Sequence, residues 1–202
     1  EILCVETGPH THTNLKRRYI SEGYPNSLTN VKRKGYNSRL FQVSYLPDDD
    51  IETKAQEKIL SLIDKNIKNS DCFIISDFGH GLLTNDIVDR INNIKQIYTS
   101  VNSQTNSMNF GFNLINRYNN IDFVSIDELE ARLPYGDKKS CINVIASKIK
   151  KDNNFKNLII TRGHAGQLFF QETKPHSLEA LSDTVIDTVG AGDASFALSS
   201  IC

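Results

Sequence analysis

A short segment near the end of the chain places two glycines and an acidic residue where a strand is predicted to give way to a helix. Residues 187–193 read Asp-Thr-Val-Gly-Ala-Gly-Asp, with Val185 and Ile186 before them and apolar residues at helical spacing after them. The first N–H groups of a helix are unpaired and carry a partial positive charge, so such a turn can bind an anion. Asp193 then suits a base that takes a proton from a hydroxyl while the N–H groups hold a phosphoryl group. The alternative is a glycine turn that only connects the two elements.

The seven-residue string resembles the C-terminal signature of the ribokinase/PfkB family of carbohydrate kinases. The resemblance implies that Asp193 is the catalytic base and that the amides of Gly190, Ala191 and Gly192 form an anion hole. It also implies ATP and Mg²⁺ as cofactors, and a sugar or sugar phosphate as the small-molecule partner. The predicted reaction is ATP-dependent phosphotransfer to a sugar hydroxyl.

A second segment, Asp77-Phe78-Gly79-His80-Gly81, resembles the Asp-Tyr-Gly-Lys-Gly segment of the heptose-kinase branch of this family. The resemblance assigns Asp77, Gly79 and His80 to the sugar site. His80 stands where that branch commonly has Lys, and it would attract a phosphate only when protonated, because its free pKa is about 6.5. An ordinary strand-to-helix turn with a surface histidine is an equal alternative for His80.

Residues 127–130, Asp-Glu-Leu-Glu, stand where the family has an Asn-x-x-Glu motif whose Glu helps to place Mg²⁺ and phosphates through water. The resemblance assigns this role to Glu130, and Mg²⁺ does keep several of its waters in proteins. Asp127 departs from the family's Asn and adds a negative charge that a metal would have to compensate. The alternative is two acids placed favourably in the first turn of a helix.

Residues 161–166 resemble the family's Thr-x-Gly-x-x-Gly turn near the nucleotide phosphates, and Arg162 could supply charge to ATP. A β-hairpin turn that needs glycine is the alternative. Asp187 is also a candidate ligand of a monovalent cation such as K⁺. Together the resemblances assign these residues to the nucleotide: Glu130, Thr161, Arg162, Gly163, Gly166, Asp187 and Thr188.

An amide-rich loop runs from Asn102 to Asn113, where the heptose-kinase branch has an Asp-Pro-Lys-like segment. Amides and hydroxyls at a strand end can bind sugar hydroxyls or phosphate, which makes Asn102 a candidate substrate residue. A solvated loop with turn-forming residues is the alternative.

The order of the elements predicts an α/β fold. Apolar spacing predicts a helix over 51–68 with Asp50 as its cap, followed by alternating strands and helices. That order indicates a mostly parallel sheet covered by helices, and the resemblance implies a ribokinase-like three-layer αβα sandwich with a small β lid. The predicted strands are 14–20, 39–46, 72–76, 96–101, 121–126, 157–161 and 167–171, and the later helices begin at Thr84, near 108–118, at 127 and near 139–151.

Polar or glycine residues follow five predicted strands: Asp77, Asn102, Asp127, Gly163 and Gly190. Open α/β sheets bind ligands along the edge formed by the carboxyl ends of their strands. The sequence therefore predicts that these positions line one cleft.

Composition argues against several classes of partner. The 202 residues carry 23 Lys and Arg against 24 Asp and Glu, so charge indicates neither a nucleic-acid nor a membrane partner. No apolar run approaches the roughly 18 residues of a membrane span. The four cysteines are scattered without a CxxC pair, which predicts neither a zinc site nor a disulfide framework and fits a reducing cytoplasm.

The first quarter of the chain is basic, with Lys16, Arg17 and Arg18 on one predicted strand. We expect a lid strand pair that extends over the sugar, where Lys16 could contact an anionic substrate and the strands could form a homodimer. A nucleic-acid interaction is the weaker alternative, because no motif accompanies the cluster.

The resemblance runs from about residue 13 to the end and lacks the family's N-terminal part. We therefore expect a single incomplete kinase domain over 1–202, with lid strands at 13–46 and the α/β core at 51–202. Two alternatives are a catalytically inactive nucleotide- or sugar-binding remnant, and one half of a sugar kinase fused to a nucleotidyltransferase.

Overall fold

The computed structural model describes residues 2–6, 13–21, 38–46, 50–171, 174–180 and 189–202. A two-stranded antiparallel sheet pairs β1 (Leu15–Ser21) with β2 (Ser38–Tyr45). A larger sheet holds six strands, which are β3 (Cys72–Asp77), β4 (Tyr98–Ser103), β5 (Phe123–Asp127), β6 (Asn157–Thr161), β7 (Gln167–Gln171) and β8 (Lys174–Leu178).

The large sheet is mixed, with the strand order β3-β4-β5-β6-β7-β8. The three pairings among β3, β4, β5 and β6 are parallel, whereas β7 and β8 each add in the antiparallel direction. The predicted α/β fold with a mostly parallel sheet and a small separate strand pair is confirmed. The sequence did not predict β8.

One face of this sheet carries the main hydrophobic core. The helices are α1 (Thr53–Asn66), α2 (Asn85–Asn92), α3 (Glu128–Arg132), α4 (Ile142–Asp152) and α5 (Ala191–Ser199). Ile87 and Ile91 of α2 and Ile145 of α4 pack against Val124 and Ile160 of the strands. Each such side chain contributes about 1.5–3 kcal/mol through burial, so this face supplies most of the stability.

The other face packs against α5. Phe196 of α5 lies on Phe123 and Ile159, and the Phe123 and Phe196 rings are stacked with centroids 6.3 Å apart. This contact holds α5 on the sheet so that Gly190 and Gly192, at its amino end, face the carboxyl ends of β5 and β6.

The strand registers bring the predicted site residues to one edge. Asp77 pairs with Ser103 at the ends of β3 and β4, and Asp127 pairs with Thr161 at the ends of β5 and β6. Asn102 is the penultimate residue of β4 rather than the residue after it. The predicted gathering at the carboxyl edge is confirmed for these strands, whereas the predicted strand at Val185 and Ile186 lies outside the described residues.

Two local predictions are wrong. Turns and a short 3-10 helix, Ile115–Arg117, replace the helix predicted near 108–118. The Asn109 and Asn113 side chains donate to backbone carbonyls of earlier residues, which favours the irregular conformation over a helix. Asp50 does not cap α1, which begins at Thr53 without any side-chain cap bond.

Across the described ranges, no helix has both the length and the apolar character that crossing a membrane requires.

Candidate active site

A polar cavity of about 240 Å³ opens at the carboxyl edge of the sheet, between β4, β5, β6 and the amino end of α5. We call it the Asp193 pocket. The residues of its lining that matter most here are Asn102, Gln104, Glu130, Thr161, Gly190 and Asp193. The pocket therefore unites four of the segments that the sequence assigned to catalysis, nucleotide or substrate.

The amino end of α5 has the geometry of an anion site. Gly190 precedes the helix with φ +77°, a left-handed conformation that favours glycine. The N–H of Ala194 donates to the carbonyl of Gly190 at 2.9 Å, which is the first bond of the helical type. The N–H groups of Ala191, Gly192 and Asp193 come before it, where a helix has no carbonyl to offer them.

The Asp193 side chain is exposed in the first turn of α5. Its Oδ1 accepts a hydrogen bond from Nε2 of Gln104. The carboxylate therefore lies in a polar, open setting in which a substrate hydroxyl can approach it.

Glu130 is buried, and backbone groups engage both of its carboxylate oxygens. Oε1 accepts from the N–H of Thr105 and Oε2 accepts from the N–H of Asp127, each at 2.8 Å. Burial raises the pKa of Glu130 to about 7, and the charges of Asp127 and Asp193 act in the same direction. This carboxyl group therefore ties the loop after β4 to the start of α3, and it changes charge near neutral pH.

Asp127 has a local structural role. That role explains why an aspartate can stand where the Asn-x-x-Glu motif has Asn. It is the N-cap of α3, and its Oδ1 accepts from the N–H of Glu130 at 2.8 Å, which completes a reciprocal capping box. Asp and Asn are about equally good N-cap residues, so the departure leaves the local fold intact.

The donor set of the Asp193 pocket suits Mg²⁺. Asp127, Glu130 and Asp193 bring three carboxylates to the lining, and none of the described lining residues is basic. Hard oxygen ligands suit Mg²⁺, which binds through one or two carboxylates together with water and phosphates. The described residues contain no cluster of three acidic, histidine or cysteine side chains that could hold a metal alone, so water and phosphate would have to complete the shell.

The predicted nucleotide turn after β6 is only partly in the pocket. Thr161 lines it, but Arg162 donates from Nε to Oε2 of Glu128 at 3.0 Å. Hydrogen bonds from Arg132 and Arg162 hold the pKa of Glu128 below its usual range. Contact between Arg162 and an ATP phosphate would require it to leave Glu128.

Gly163 and Gly166 form the turn that leads into β7, and the N–H of Arg162 donates to the Gly166 carbonyl at 2.8 Å. Their contact with nucleotide stays a prediction. Asp187 and Thr188 lie outside the described residues, so their assignments to nucleotide and monovalent cation also stay predictions.

Asp77 is buried, at 3 % exposed, and belongs to a second polar cluster at the same edge. Its Oδ2 accepts from the Tyr118 hydroxyl at 2.7 Å, and its Oδ1 accepts from the N–H of Gly79 at 2.9 Å. Arg117 lies 3.7 Å from Oδ2. Protein groups therefore engage the carboxylate that the sequence assigned to the sugar.

The structure gives Gly79 a packing role. Its φ of +64° is left-handed, and an added Cβ would lie 2.7 Å from Cβ of Asn113. We define the Asp77 cluster as Asp77, Gly79, Asn113, Arg117 and Tyr118. Its members support the loops after β3 and β4, and sugar binding by Asp77 and Gly79 stays a prediction.

His80 lies between the small sheet and the amide-rich loop. Its Nε2 is 3.3 Å from Nδ2 of Asn106, and its Nδ1 is 3.3 Å from Nδ2 of Asn14. Asn106 accepts from the N–H of Met108 through Oδ1, so its Nδ2 is a donor toward His80. Burial and the charge of Lys16 lower the pKa of His80, which works against the predicted contact between a protonated His80 and a phosphate.

Lys16 of β1 is half-buried, and burial together with the charge of Arg18 lowers its pKa. Asn14, two residues before Lys16, contacts His80, so this end of the small sheet lies beside the loop after β3. Lys16 therefore stays a candidate contact for an anionic sugar.

Asn102 is buried at the floor of the Asp193 pocket, where its Nδ2 donates to the carbonyl of Ser125 at 2.6 Å. Its Oδ1 has no hydrogen-bond partner within the described ranges. A buried acceptor without a partner is uncommon, so this oxygen is available to a donor from a ligand or water.

Sequence reasoning missed Gln104 and Thr105 as individual residues. Both lie in the amide-rich loop, but no motif distinguishes them from its other polar residues. Thr105 contacts Glu130, which is 25 residues further along the chain, and Gln104 contacts Asp193, which is 89 residues further along. Such long-range contacts distinguish these two residues only in the structure.

The fold defines a protein of the ribokinase-like class. Phosphofructokinase-2 from Escherichia coli in complex with potassium matches with a TM-score of 0.62 and 13% identity, over 80% of this chain and 53% of that chain. Ribokinase from Giardia lamblia matches with a TM-score of 0.60 and 15% identity, over 94% of this chain and 54% of that one. Identities this low show the fold alone.

The chain belongs to the pfkB family of carbohydrate kinases, whose sequence profile matches residues 38–198. It is 24% identical over 160 residues to the bifunctional protein HldE of Nitratiruptor sp., across 78% of this chain. It is 27% identical over 208 residues to HldE of Campylobacter jejuni, across 98% of this chain. It spans only 33% and 42% of the length of these two curated relatives.

Proposed function

We propose that this protein transfers a phosphoryl group from ATP to a hydroxyl of a sugar or sugar phosphate, with Asp193 as the base. One observation carries the proposal: Asp193 is an exposed carboxylate in the first turn of α5, beside backbone N–H groups to which a helix offers no carbonyl partner of its own. A base and an anion site in one pocket are what phosphotransfer to an alcohol requires.

In the proposed reaction, Asp193 accepts the proton of the sugar hydroxyl as that oxygen attacks the terminal phosphorus of ATP. The N–H groups of Ala191, Gly192 and Asp193 point at the charge that develops on the transferred group. Mg²⁺, when bound, neutralises phosphate charge, and Glu130 and Asp127 would hold it, Glu130 through water. General-base action of this kind contributes about 10²–10⁴ in rate.

The proposed substrate is a heptose or a related sugar phosphate. The Asp-Phe-Gly-His-Gly segment at 77–81 and the partial similarity to HldE support this choice. Lys16 of the small sheet, whose charge acts on His80, would attract a phosphorylated sugar. One solved relative, Arabidopsis thaliana ribokinase complexed with ribose and ATP, has a TM-score of 0.54 to this chain and supports ATP as the donor.

We further propose that the small sheet mediates a homodimer in the cytoplasm. Tyr19 and Phe41 stack across β1 and β2 with centroids 4.3 Å apart, and both are exposed. Leu40 and Tyr45 are exposed on the same sheet. Exposed aromatic and aliphatic groups of this kind mark association surfaces.

A non-catalytic remnant that binds nucleotide or sugar is the second candidate. The ion pair between Arg162 and Glu128 favours it, because Arg162 is the cation that the sequence assigned to an ATP phosphate. The three carboxylates of the pocket would then repel ATP unless Mg²⁺ accompanies it.

A coupled ADP-release assay across a panel of sugars and sugar phosphates, run beside calorimetric titration with ATP and Mg²⁺, separates the two candidates. We expect ADP release that depends on one class of acceptor and is lost when Mg²⁺ is chelated. Binding of ATP without acceptor-dependent release for any member of the panel would support the remnant instead.

A further inference from the structure

We infer that Gln104 is a positioning residue, which orients the Asp193 carboxylate toward the acceptor hydroxyl. The inference rests on the proposed phosphotransfer function and adds to it a residue that no motif assigns. Its basis is the network that joins the loop after β4 to α5.

The contact itself fixes the direction of the Gln104 amide. Nε2 of Gln104 donates to Oδ1 of Asp193. Because an ionised carboxylate only accepts hydrogen bonds, the amide must present its nitrogen, and the opposite orientation would place two acceptors together. Of the side chains within the described ranges, only Gln104 donates to this carboxylate.

A neutral amide suits this task. It restricts rotation of the Asp193 side chain through one oxygen and leaves Oδ2 for the substrate hydroxyl. It also keeps the negative charge on Asp193, since no proton passes between the two groups.

The backbone of Gln104 is held on both sides. Its N–H donates to the carbonyl of Asp77 at 2.8 Å. Its carbonyl accepts from Nδ2 of Asn109 at 3.3 Å and from Nδ2 of Asn113 at 3.4 Å. The first bond ties Gln104 to the end of β3, and the other two hold it within its own loop.

The next residue is held as well, because the N–H of Thr105 donates to Oε1 of the buried Glu130 at 2.8 Å. The half-buried Gln104 side chain therefore projects from a backbone that β3 and α3 fix together. Such support is what a positioning side chain needs to hold a catalytic group within a fraction of an ångström of its working position.

The test compares three substitutions at Gln104. Gln104→Leu keeps the approximate size and removes the donor, Gln104→Glu places a negative charge against Asp193, and Gln104→Lys restores a donor. We expect kcat to fall about tenfold in Gln104→Leu and further in Gln104→Glu, since a hydrogen bond to a charged group is lost and then replaced by repulsion. Gln104→Lys restores a donor, but its positive charge should weaken Asp193 as a base, so we expect it to recover only part of the kcat lost in Gln104→Leu, while KM for ATP stays within about twofold throughout.

Gln171→Leu is the matched control. Gln171 is exposed at the end of β7, and its partner across the sheet is Asn157, at the amino end of the parallel strands. The control should leave kcat unchanged. Circular dichroism would verify that every variant is folded before the rates are compared.

A second measurement observes the contact without turnover. The side-chain amide resonance of Gln104 in ¹H–¹⁵N spectra should shift when Asp193→Ala removes the acceptor, and the Gln171 amide should not. An unchanged Gln104 resonance, or wild-type kcat in Gln104→Leu, overturns the inference even if the protein phosphorylates sugars. Absence of phosphotransfer in the wild type would overturn the proposed function, and with it the role of Gln104, whatever the spectra show.

Discussion

Two aspartates at the same edge of the sheet have opposite surroundings. Asp77 is buried, and its two oxygens accept from Tyr118 and from the backbone of Gly79. Asp193 is exposed, and within the described ranges it accepts from Gln104 alone. A carboxylate whose bonds are all made within the protein stabilises the fold, whereas one with a remaining lone pair and access to solvent can do chemistry. The sequence assigned both aspartates to the working site, Asp193 as the base and Asp77 to the sugar, but only Asp193 has the open surroundings that a base requires.

The largest expected effect is on turnover at Asp193. Asp193→Asn keeps the size of the side chain and removes the base, so kcat should fall by about 10²–10⁴. Because the side chain is exposed, the urea midpoint should hardly move. Steady-state ADP release and urea unfolding on the same samples measure both. Full activity in Asp193→Asn would abolish the distinction between the two aspartates.

Asp77→Ala, unlike Asp193→Asn, should lower the stability of the fold. It leaves Arg117 and the Tyr118 hydroxyl without their buried partner, and removing one member of such a network costs about 3 kcal/mol. Urea unfolding measures the loss. Asp89→Ala on the exposed face of α2 is the matched control and should change stability by less than about 0.5 kcal/mol. Equal effects at both positions would remove the case for a structural Asp77.

Glu130 should make stability depend on pH. Its pKa is raised from 4.5 to about 7 in the folded protein, so the folded state holds this proton more tightly than the unfolded chain does. Stability should therefore fall as pH rises from 4.5 toward 7, by at most about 3 kcal/mol. Thermal unfolding over this range, without divalent cations, would measure the fall.

Glu130→Gln cannot ionise, so its stability should lack this component of the pH dependence. Parallel curves for the wild type and Glu130→Gln would show that Glu130 does not titrate in this range. Such a result would remove the buried carboxyl group from the electrostatics of the Asp193 pocket.

Gly190→Ala should change stability less than the changes expected at Asp77 and Glu130. The φ of +77° strains a residue with a side chain by about 1 kcal/mol, while no described atom lies within 4 Å of the added Cβ. Gly136→Ala, at φ +59° in similarly open space, is the matched control. Both should lower stability about equally, but only Gly190→Ala should lower kcat, because it moves the N–H groups at the start of α5. Equal kcat values for Gly190→Ala and Gly136→Ala would argue against an anion site at the start of α5.

Part of the fold and of the Asp193 pocket could be predicted from the sequence, because short stretches of the chain specify it. The strand–helix alternation indicated the sheet, and the glycine string indicated the start of α5. The Asn-rich loop was mispredicted as a helix because its amides bond to the backbone near β3, a contact that periodicity does not encode. The different surroundings of Asp77 and Asp193 could not be predicted either, because both aspartates were assigned only from motifs at strand or helix ends. Gln104 meets Asp193 only once α5 packs on the sheet.

The most direct test of the account is a crystal structure of the protein with an acceptor sugar and a non-hydrolysable ATP analogue. The account predicts the acceptor hydroxyl within hydrogen-bond distance of Asp193, about 3 Å, with a terminal phosphate oxygen against the N–H groups that open α5. An acceptor hydroxyl bonded to Asp77 instead, or phosphates bound away from α5, would contradict it.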